Sequence, residues 1–185
     1  MTHFSQLLTD ELAAYSARDG RTDLAILETG SIRNEAEEYH QNDGWSTLTF
    51  AQHVKEHGGS LTSVDLDITA ADVVLNRHGL RDTVNLVQQH SIEFLAGEIA
   101  AGTRYDVILL DSANDADLIL NEYLLAKNLG PGLLLVDDVE PGSATVVKGQ
   151  KLLPWVQASD EVQWRLLRRT GAGSFSVGVL ALDLS

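Results

Sequence analysis

Val107-Ile108-Leu109-Leu110-Asp111 is a short apolar run that ends on a carboxylate, and this pattern indicates the fold. Three other runs have a similar form: Leu24-Ala25-Ile26-Leu27-Glu28, Leu61-Thr62-Ser63-Val64-Asp65 and Leu133-Leu134-Leu135-Val136-Asp137-Asp138. Runs of this length between helical patterns are typical of buried parallel strands. In an open parallel sheet the carboxyl ends of the strands share one edge, and ligands bind outside it. The sequence therefore predicts several acidic side chains around one crevice, where they need a cationic or hydrogen-bonding partner.

Helical patterns separate these strands in a regular alternation. Apolar residues at helical spacing predict helices over residues 4–18, 46–57, 69–78, 91–101, 116–129 and 144–157. The predicted strands cover residues 24–28, 60–65, 84–87, 105–111 and 133–136, with a closing pair at 162–169 and 175–184. This order predicts an α/β fold with a doubly wound, mostly parallel, seven-stranded sheet and an antiparallel C-terminal strand.

Composition favours an ordinary globular protein and argues against several functional classes. The 185 residues suit a single domain over 1–185, with an N-terminal helix within 1–20 and a polar insertion loop at 33–44. A net charge of -14 argues against nucleic acid as a partner, and the absence of cysteine excludes disulfides and thiolate metal sites. The first ten residues do not resemble a signal peptide, and no apolar segment has the length of a membrane span. We therefore expect a cytoplasmic protein without membrane contacts.

The first two strands end in residues that suit a nucleoside ligand. Gly30 lets a ligand approach the backbone, although its surroundings lack the compact G-x-G-x-x-G pattern of dinucleotide enzymes. Asp65 ends the second strand, where a carboxylate can accept both hydroxyls of a ribose; the alternative is a solvated strand end. Gln89, His90 and Ser91 follow the third strand and could contact an adenine edge. His90 could equally be a surface histidine, and Ser91 the N-cap of the next helix.

A second group of carboxylates suits a metal ion. Asp111 follows the fourth strand, and Asp137 and Asp138 follow the fifth, which should lie beside it. Three oxygen ligands on rigid strand ends suit Mg²⁺, which could bind a substrate hydroxyl and lower its pKa. The alternative is that Asp111 accepts hydrogen bonds from backbone N–H groups while Asp137 and Asp138 cap a loop.

Several segments together resemble class I S-adenosylmethionine-dependent methyltransferases, and most closely the small O-methyltransferase branch with the catechol and macrocin-type enzymes. The resemblance covers the run from Ile26 to Asp138 and rests on these segments: Glu28-Thr29-Gly30 with Gly44-Trp45-Ser46-Thr47, Ser63-Val64-Asp65-Leu66-Asp67, Tyr105-Asp106-Val107-Ile108-Leu109-Leu110-Asp111-Ser112, and Gly130-Pro131-Gly132 leading to Asp137-Asp138. It implies that Glu28, Gly30 and Ser46 hold the methionine part of the cofactor. It also implies that Asp65 holds the ribose and that Asp111 lies beside the cofactor.

The resemblance also bears on the metal and on the catalytic residues. In metal-dependent members, the acids at the positions of Asp111, Asp137 and Asp138 hold Mg²⁺ or another divalent cation. Catechol-type enzymes place a catalytic lysine three residues after the first of these acids, whereas this chain has Asn114, which cannot act as a base. We therefore predict Asp111 and His40 as catalytic residues, with Lys148 or Lys151 as alternative bases to His40. A further alternative is that the chain supplies no base and the metal alone acidifies the substrate hydroxyl.

The resulting functional prediction is an S-adenosylmethionine-dependent methyltransferase that acts on a hydroxyl of a small molecule with the assistance of a divalent cation. One alternative is a protein that binds the cofactor without catalysis, as a sensor or a partner subunit. Another is a nicotinamide-dependent oxidoreductase, which the glycine pattern disfavours. A homodimer is compatible with the sequence, since a short chain could complete its substrate site with a neighbouring subunit.

Overall fold

The architecture is a single mixed sheet with helices on both faces. A computed structural model describes residues 3–37, 45–160, 162–170 and 176–184. Within these residues the sheet has seven strands. Their spatial order is β3 (Val84–Gln88), β2 (Ser60–Asp65), β1 (Ala25–Thr29), β4 (Val107–Leu110), β5 (Leu133–Val136), β7 (Ser176–Asp183) and β6 (Gln163–Thr170). Strands β1 to β5 run parallel, while β7 pairs antiparallel with both β5 and β6. The predicted doubly wound fold with an antiparallel C-terminal strand is confirmed.

The elements follow the predicted alternation along the chain. The strands are β1 Ala25–Thr29, β2 Ser60–Asp65, β3 Val84–Gln88, β4 Val107–Leu110, β5 Leu133–Val136, β6 Gln163–Thr170 and β7 Ser176–Asp183. The helices are α1 Phe4–Asp19, α2 Ser46–His57, α3 Thr69–Arg77, α4 Ser91–Ala101, α5 Ala116–Ala126 and α6 Gly149–Gln157. Short 3-10 helices span Arg81–Thr83 and Lys127–Leu129. Of the predicted polar insertion at 33–44, residues 38–44 lie outside the described residues.

The prediction of a helix over residues 144–157 is wrong at its N-terminal end, because α6 begins at Gly149. The Ser143 hydroxyl oxygen accepts hydrogen bonds from the N–H groups of Thr145 and Val146. The Asn114 side-chain oxygen accepts from the N–H groups of the next two residues, Val147 and Lys148. These side chains compete with helical hydrogen bonds, so the segment stays irregular.

The predicted fourth strand, 105–111, is also longer than β4. Asp106 lies just before β4, and its carboxylate oxygen Oδ2 accepts a hydrogen bond from the N–H of Ala25 at 2.7 Å. The same carboxylate pairs with Arg21. Asp106 thereby fixes the start of β1 beside β4, since β1 begins at Ala25.

The core explains why the central strands are almost wholly apolar. Successive residues of a strand point to opposite faces of the sheet. Thus Ile26 and Leu109 pack with α1, α2 and α3, whereas Leu27 and Ile108 pack with α4, α5 and α6. Both faces are therefore covered, as expected for parallel sheets.

The order of the strands reverses between β1 and β4, and Gly30 lies at this point, directly after β1. Its φ is +87°, and a Cβ there would lie 2.2 Å from the carbonyl oxygen of Asp111. Its N–H donates to the carbonyl of Val64 at 2.8 Å, so three strand ends meet around it. Ligands of open α/β sheets bind at such a reversal.

No helix in the described part of the chain is long and apolar enough to cross a membrane.

Replacing Gly30 by alanine should destabilise the fold strongly, because the new methyl group would clash with the Asp111 backbone in addition to straining a positive φ. Gly142→Ala is the matched control, since Gly142 has φ +77° but a Cβ added there would have no other atom within 4 Å. We expect a loss of about 1 kcal/mol in the free energy of unfolding for Gly142→Ala and of more than about 3 kcal/mol for Gly30→Ala. Urea denaturation measures both, and equal losses would show that Gly30 is not sterically confined.

Candidate functional site

The predicted nucleoside residues gather around one small cavity at the carboxyl edge of the sheet, the side at which β1, β2, β4 and β5 end. The cavity has a volume of about 40 Å³ and is lined by Gly30, Val64, Asp65, Leu66, Gln89, His90, Ser91 and Ser112. The lining residues lie at or just after the carboxyl ends of four strands, β1 to β4, as expected at a reversal of strand order. Since small-molecule pockets have volumes of about 300 Å³ or more, this cavity must open to admit a nucleoside.

Asp65 joins the ends of β1 and β2. Its Oδ2 accepts a hydrogen bond from the N–H of Ser31 at 2.8 Å, and its Oδ1 accepts from the N–H of Leu66 at 2.6 Å. A carboxylate oxygen can accept more than one hydrogen bond, so Asp65 keeps acceptor capacity toward the cavity. The nearby Asp67 has a different role, because its Oδ1 accepts from the N–H of Thr69 at the start of α3.

The structure assigns the N-cap of α4 to His90 and not to Ser91, so that alternative for Ser91 is wrong. The Nδ1 atom of His90 accepts a hydrogen bond from the N–H of Ile92 at 3.2 Å, which requires the proton on Nε2. His90 is exposed and Ser91 is buried. The exposed Nε2–H of His90 is therefore a donor available at the rim of the cavity.

Glu28 lies at the end of β1 and is wholly buried. Its Oε2 accepts hydrogen bonds from the hydroxyls of Thr47 at 2.6 Å and Ser63 at 2.7 Å, which connects β1 to the first turn of α2 and to β2. Its Oε1 has no hydrogen-bond partner among the described residues. Burial raises the pKa of Glu28 to about 7, although the hydroxyls of Ser46, Thr47 and Ser63 lower it.

Ser46, the other residue predicted near the methionine part of a cofactor, is the first residue of α2 and is buried. The structure therefore brings Glu28, Gly30 and Ser46 to the same end of the sheet. His40, predicted as a catalytic base, lies outside the described residues.

A buried carboxyl group that the sequence analysis missed belongs to Glu122 of α5. Its Oε2 accepts a hydrogen bond from the Thr29 hydroxyl at 3.3 Å, and burial raises its pKa. The signal was present, because Glu122 occupies the same helical face as the buried residues Ile119, Tyr123 and Ala126. A charged residue at a core-facing position of a helix needs a polar partner, and here that partner is the end of β1.

The three acids predicted to bind a metal do come together. One carboxylate oxygen from each of Asp111, Asp137 and Asp138 lies within 4.8 Å of the others. Asp138 reaches this position with a backbone φ of +56°, which is uncommon for residues other than glycine. We call these three residues the carboxylate cluster.

The side chain of Lys148 enters the carboxylate cluster. Its Nζ lies 2.5 Å from Oδ1 of Asp111 and 3.6 Å from Oδ2 of Asp138, and the side chain is only 1% exposed. Burial alone would lower the pKa of the Lys148 ammonium, but Asp111, Asp138 and Asp137 together raise it above its ordinary value. Lys148 therefore stays protonated near neutral pH and does not fit the alternative role of a general base.

Asn114 and Lys151, the other two residues considered at the position of the catalytic base, make contacts that stabilise the structure. Besides accepting from the backbone of Val147 and Lys148, Asn114 donates from Nδ2 to the carbonyl of Thr145 at 2.8 Å. Lys151, the second alternative base, pairs with Asp117 on the surface of the protein. Asn114 thus fixes the backbone that presents Lys148 to the carboxylate cluster.

The carboxylate cluster has the right donors for a divalent cation but not the space. Mg²⁺ requires oxygen ligands at about 2.0–2.1 Å. The Lys148 ammonium already lies 2.5 Å from Oδ1 of Asp111 and 3.6 Å from Oδ2 of Asp138, so it contacts two of the three acids that would have to hold the cation. In this arrangement the residues do not fit a metal ion.

The residues around the cavity fit a cationic, ribose-bearing cofactor in their chemistry. Asp65 offers acceptors for hydroxyl groups, and Glu28 has a buried Oε1 with no hydrogen-bond partner among the described residues. Gly30 lies so close to the Asp111 backbone that only a residue without a side chain fits there, which keeps the ends of β1 and β4 together beside the cavity.

Comparisons with known proteins agree with this picture. A family model described as "Methyltransferase domain" matches residues 41–139. Among solved structures, the O-methyltransferase TomG from Streptomyces achromogenes, in complex with SAM, has a TM-score of 0.69 and 18% identity, covering 96% of this chain and 80% of that one. The O-methyltransferase from Bacillus cereus, in complex with SAH, has a TM-score of 0.66 and 20% identity, covering 93% of this chain and 78% of that one. At these identities the likeness shows a shared fold. A search of curated proteins found no match to this chain.

The buried carboxyl group of Glu28 should make stability depend on pH. The unfolded chain releases this proton near pH 4.5, whereas the folded chain holds it until about pH 7. Between these values the folded state binds more protons, so the free energy of unfolding should fall as pH rises and level off above pH 7. Glu28→Gln removes this contribution.

Urea denaturation at pH 5 and pH 8 measures the effect. Between pH 5 and pH 8 the free energy of unfolding should fall by up to about 3 kcal/mol more in the wild type than in Glu28→Gln. Glu56→Gln, an exposed change on α2, should keep the wild-type dependence. Identical pH dependence in the wild type and Glu28→Gln would contradict a raised pKa at Glu28.

Proposed function

This chain belongs to the methyltransferase domain family, and on that premise we propose that it transfers the methyl group of S-adenosylmethionine to a hydroxyl of a small molecule. The observation that carries the proposal is the placement of Gly30, Asp65, His90 and Ser91 around one cavity where the strand order reverses. The two O-methyltransferase structures described above, one with SAM and one with SAH, support the same assignment.

In the proposed complex each part of the cofactor meets a group of suitable chemistry. Asp65 accepts hydrogen bonds from the ribose hydroxyls, and His90 and Ser91 lie beside the adenine. Gly30 and Ser46 hold the methionine part together with Glu28, whose Oε1 offers a buried acceptor. The backbone of Asp111 closely approaches Gly30, so Asp111 also lies beside the proposed cofactor.

The cationic cofactor also accounts for the acidic edge. The sulfonium group carries a positive charge, so nearby carboxylates stabilise the bound cofactor. Because cofactor and carboxylates compensate each other, the acids at the ends of four strands favour this ligand over an anionic one.

The proposed reaction is an in-line displacement at the methyl carbon. A bond forms between the substrate oxygen and the methyl carbon while the carbon–sulfur bond breaks, and sulfur keeps the electron pair as a neutral thioether. The hydroxyl proton leaves to a base, for which His40 stays the prediction. The chain's main contribution is to hold oxygen, carbon and sulfur in line, which can supply a large part of the rate enhancement.

Assistance by a divalent cation is the part of the prediction with the least structural support, because Lys148 takes the space between Asp111 and Asp138. We therefore assign no step to a metal. A small-molecule substrate, a homodimer, a single domain over 1–185 and a cytoplasmic location stay predictions.

Binding without catalysis is the second candidate function. The observation that favours it is the state of two residues near Asp111: Asn114 has no basic group, and Lys148 is held protonated. Methyl transfer from S-adenosylmethionine to a panel of phenols and alcohols separates the two functions. Product formation supports the enzyme, whereas cofactor binding without product supports the sensor or partner subunit.

Replacing Asp65 by asparagine should weaken binding of S-adenosylhomocysteine by at least about tenfold, because a charged acceptor for two hydroxyls becomes neutral. Isothermal titration calorimetry measures the affinity. Asp82→Asn is the control, since Asp82 is exposed in the 3-10 helix that precedes β3, away from the carboxyl edge.

An unchanged affinity in Asp65→Asn would contradict the assigned ribose contact. No binding of S-adenosylhomocysteine by the folded wild type would contradict the proposed function itself.

A further inference from the structure

We propose that Lys148 is the resident cation of the carboxylate cluster, and that its ammonium group takes the place of a divalent metal ion there. The inference concerns the cluster itself and holds whether or not the chain transfers methyl groups. If it does, as proposed above, transfer does not require a divalent cation.

The first support is the position of the Lys148 ammonium. It lies 2.5 Å from Asp111 and 3.6 Å from Asp138, which are hydrogen-bond and ion-pair distances, respectively. The Asp137 carboxylate belongs to the same cluster, with an oxygen within 4.8 Å of the other two. A single cation held against a cluster of three acids is the arrangement expected of a metal site, but here the cation is part of the chain.

The second support is the confinement of the Lys148 side chain. At 1% exposure the side chain is almost wholly buried, and an ammonium ion without carboxylate partners is costly to bury. Moving it away to admit a metal would therefore either strand a charge in the protein interior or unfold the segment that carries it.

The third support is the anchoring of the backbone on both sides of Lys148. On the N-terminal side, Asn114 accepts hydrogen bonds from the N–H groups of Val147 and Lys148 at 2.8 and 3.3 Å. On the C-terminal side, Gly149 lies so close to Val139 that a Cβ would approach its side chain to 2.5 Å. Asn114 is thus a positioning residue for Lys148.

The charge of the Lys148 ammonium also suits the carboxylate cluster. Carboxylates at this spacing repel one another when they are ionised, and a positive charge among them offsets the repulsion. A lysine ammonium supplies one positive charge and three donors, without the loss of entropy that capturing a free ion requires. Asn114, three residues after Asp111, bonds to the backbone from Thr145 to Lys148. It therefore positions the ammonium of Lys148 without touching it.

The test is binding of Mn²⁺ to the cofactor-free chain, measured by isothermal titration calorimetry and by the electron paramagnetic resonance signal of free Mn²⁺. Mn²⁺ prefers the same oxygen ligands as Mg²⁺. The wild type should show no binding at about 1 mM Mn²⁺, near the weak end of protein sites for hard cations. Lys148→Met removes the ammonium while keeping an unbranched apolar side chain, so it should gain Mn²⁺ binding and a Mn²⁺-dependent rise in Tm.

Two further variants make the test decisive. Lys151→Met, an exposed change in α6 just after Lys148, should bind no Mn²⁺, as in the wild type. Asn114→Ala keeps every charge but releases the backbone at Lys148, so it should show saturable Mn²⁺ binding at about 1 mM, where the wild type shows none. This variant replaces Lys148→Met if the latter does not fold even with Mn²⁺.

Saturable Mn²⁺ binding by the wild type would overturn the proposal, and so would a folded Lys148→Met that binds none. Failure of Asn114→Ala to bind Mn²⁺ would overturn the positioning role of Asn114 and, if Lys148→Met does not fold, the proposal as a whole. These outcomes are separate from failure of the proposed function, because S-adenosylhomocysteine binding is measured independently of Mn²⁺.

Discussion

The structure depends on how the carboxylates at one edge of the sheet are compensated. Buried parallel strands deliver Glu28, Asp65, Asp111 and Asp137 to the same side, where their negative charges would otherwise repel. The fold can place them there only because each carboxylate finds a partner. The choice of partner then determines what each residue is able to do.

Three different solutions occur within this edge. Glu28 is surrounded by hydroxyl groups and has a raised pKa, so burial keeps its proton on up to about neutral pH. Asp65 is compensated by backbone N–H groups at the ends of β1 and β2. The carboxylate cluster is compensated by the ammonium of Lys148, which belongs to the turn before α6. The edge is therefore a set of distinct sites and not one anionic surface.

Sequence patterns predicted the sheet well, because each strand is an apolar run whose length and flanking turns are local properties. They predicted poorly where an unexpected side chain, near or far along the chain, accepts the hydrogen bonds of backbone N–H groups. The predicted start of α6 is five residues too early, because Asn114 and Ser143 accept hydrogen bonds from the backbone that precedes the helix. His90 caps α4 in place of Ser91, since an imidazole nitrogen can accept the hydrogen bond that a hydroxyl usually takes.

The sequence by itself determined the order of the elements and that acids end the central strands. It also determined which of them share an edge, because parallel strands all end on the same side. Only the tertiary structure decided that Lys148, thirty-seven positions after Asp111, enters the carboxylate cluster, and that Glu122 contacts the end of β1. Such contacts depend on the packing of α5 and of the turn before α6 against the sheet. The physical reason is that the energy of a buried charge is set by neighbours in space, and these neighbours lie far apart along the chain.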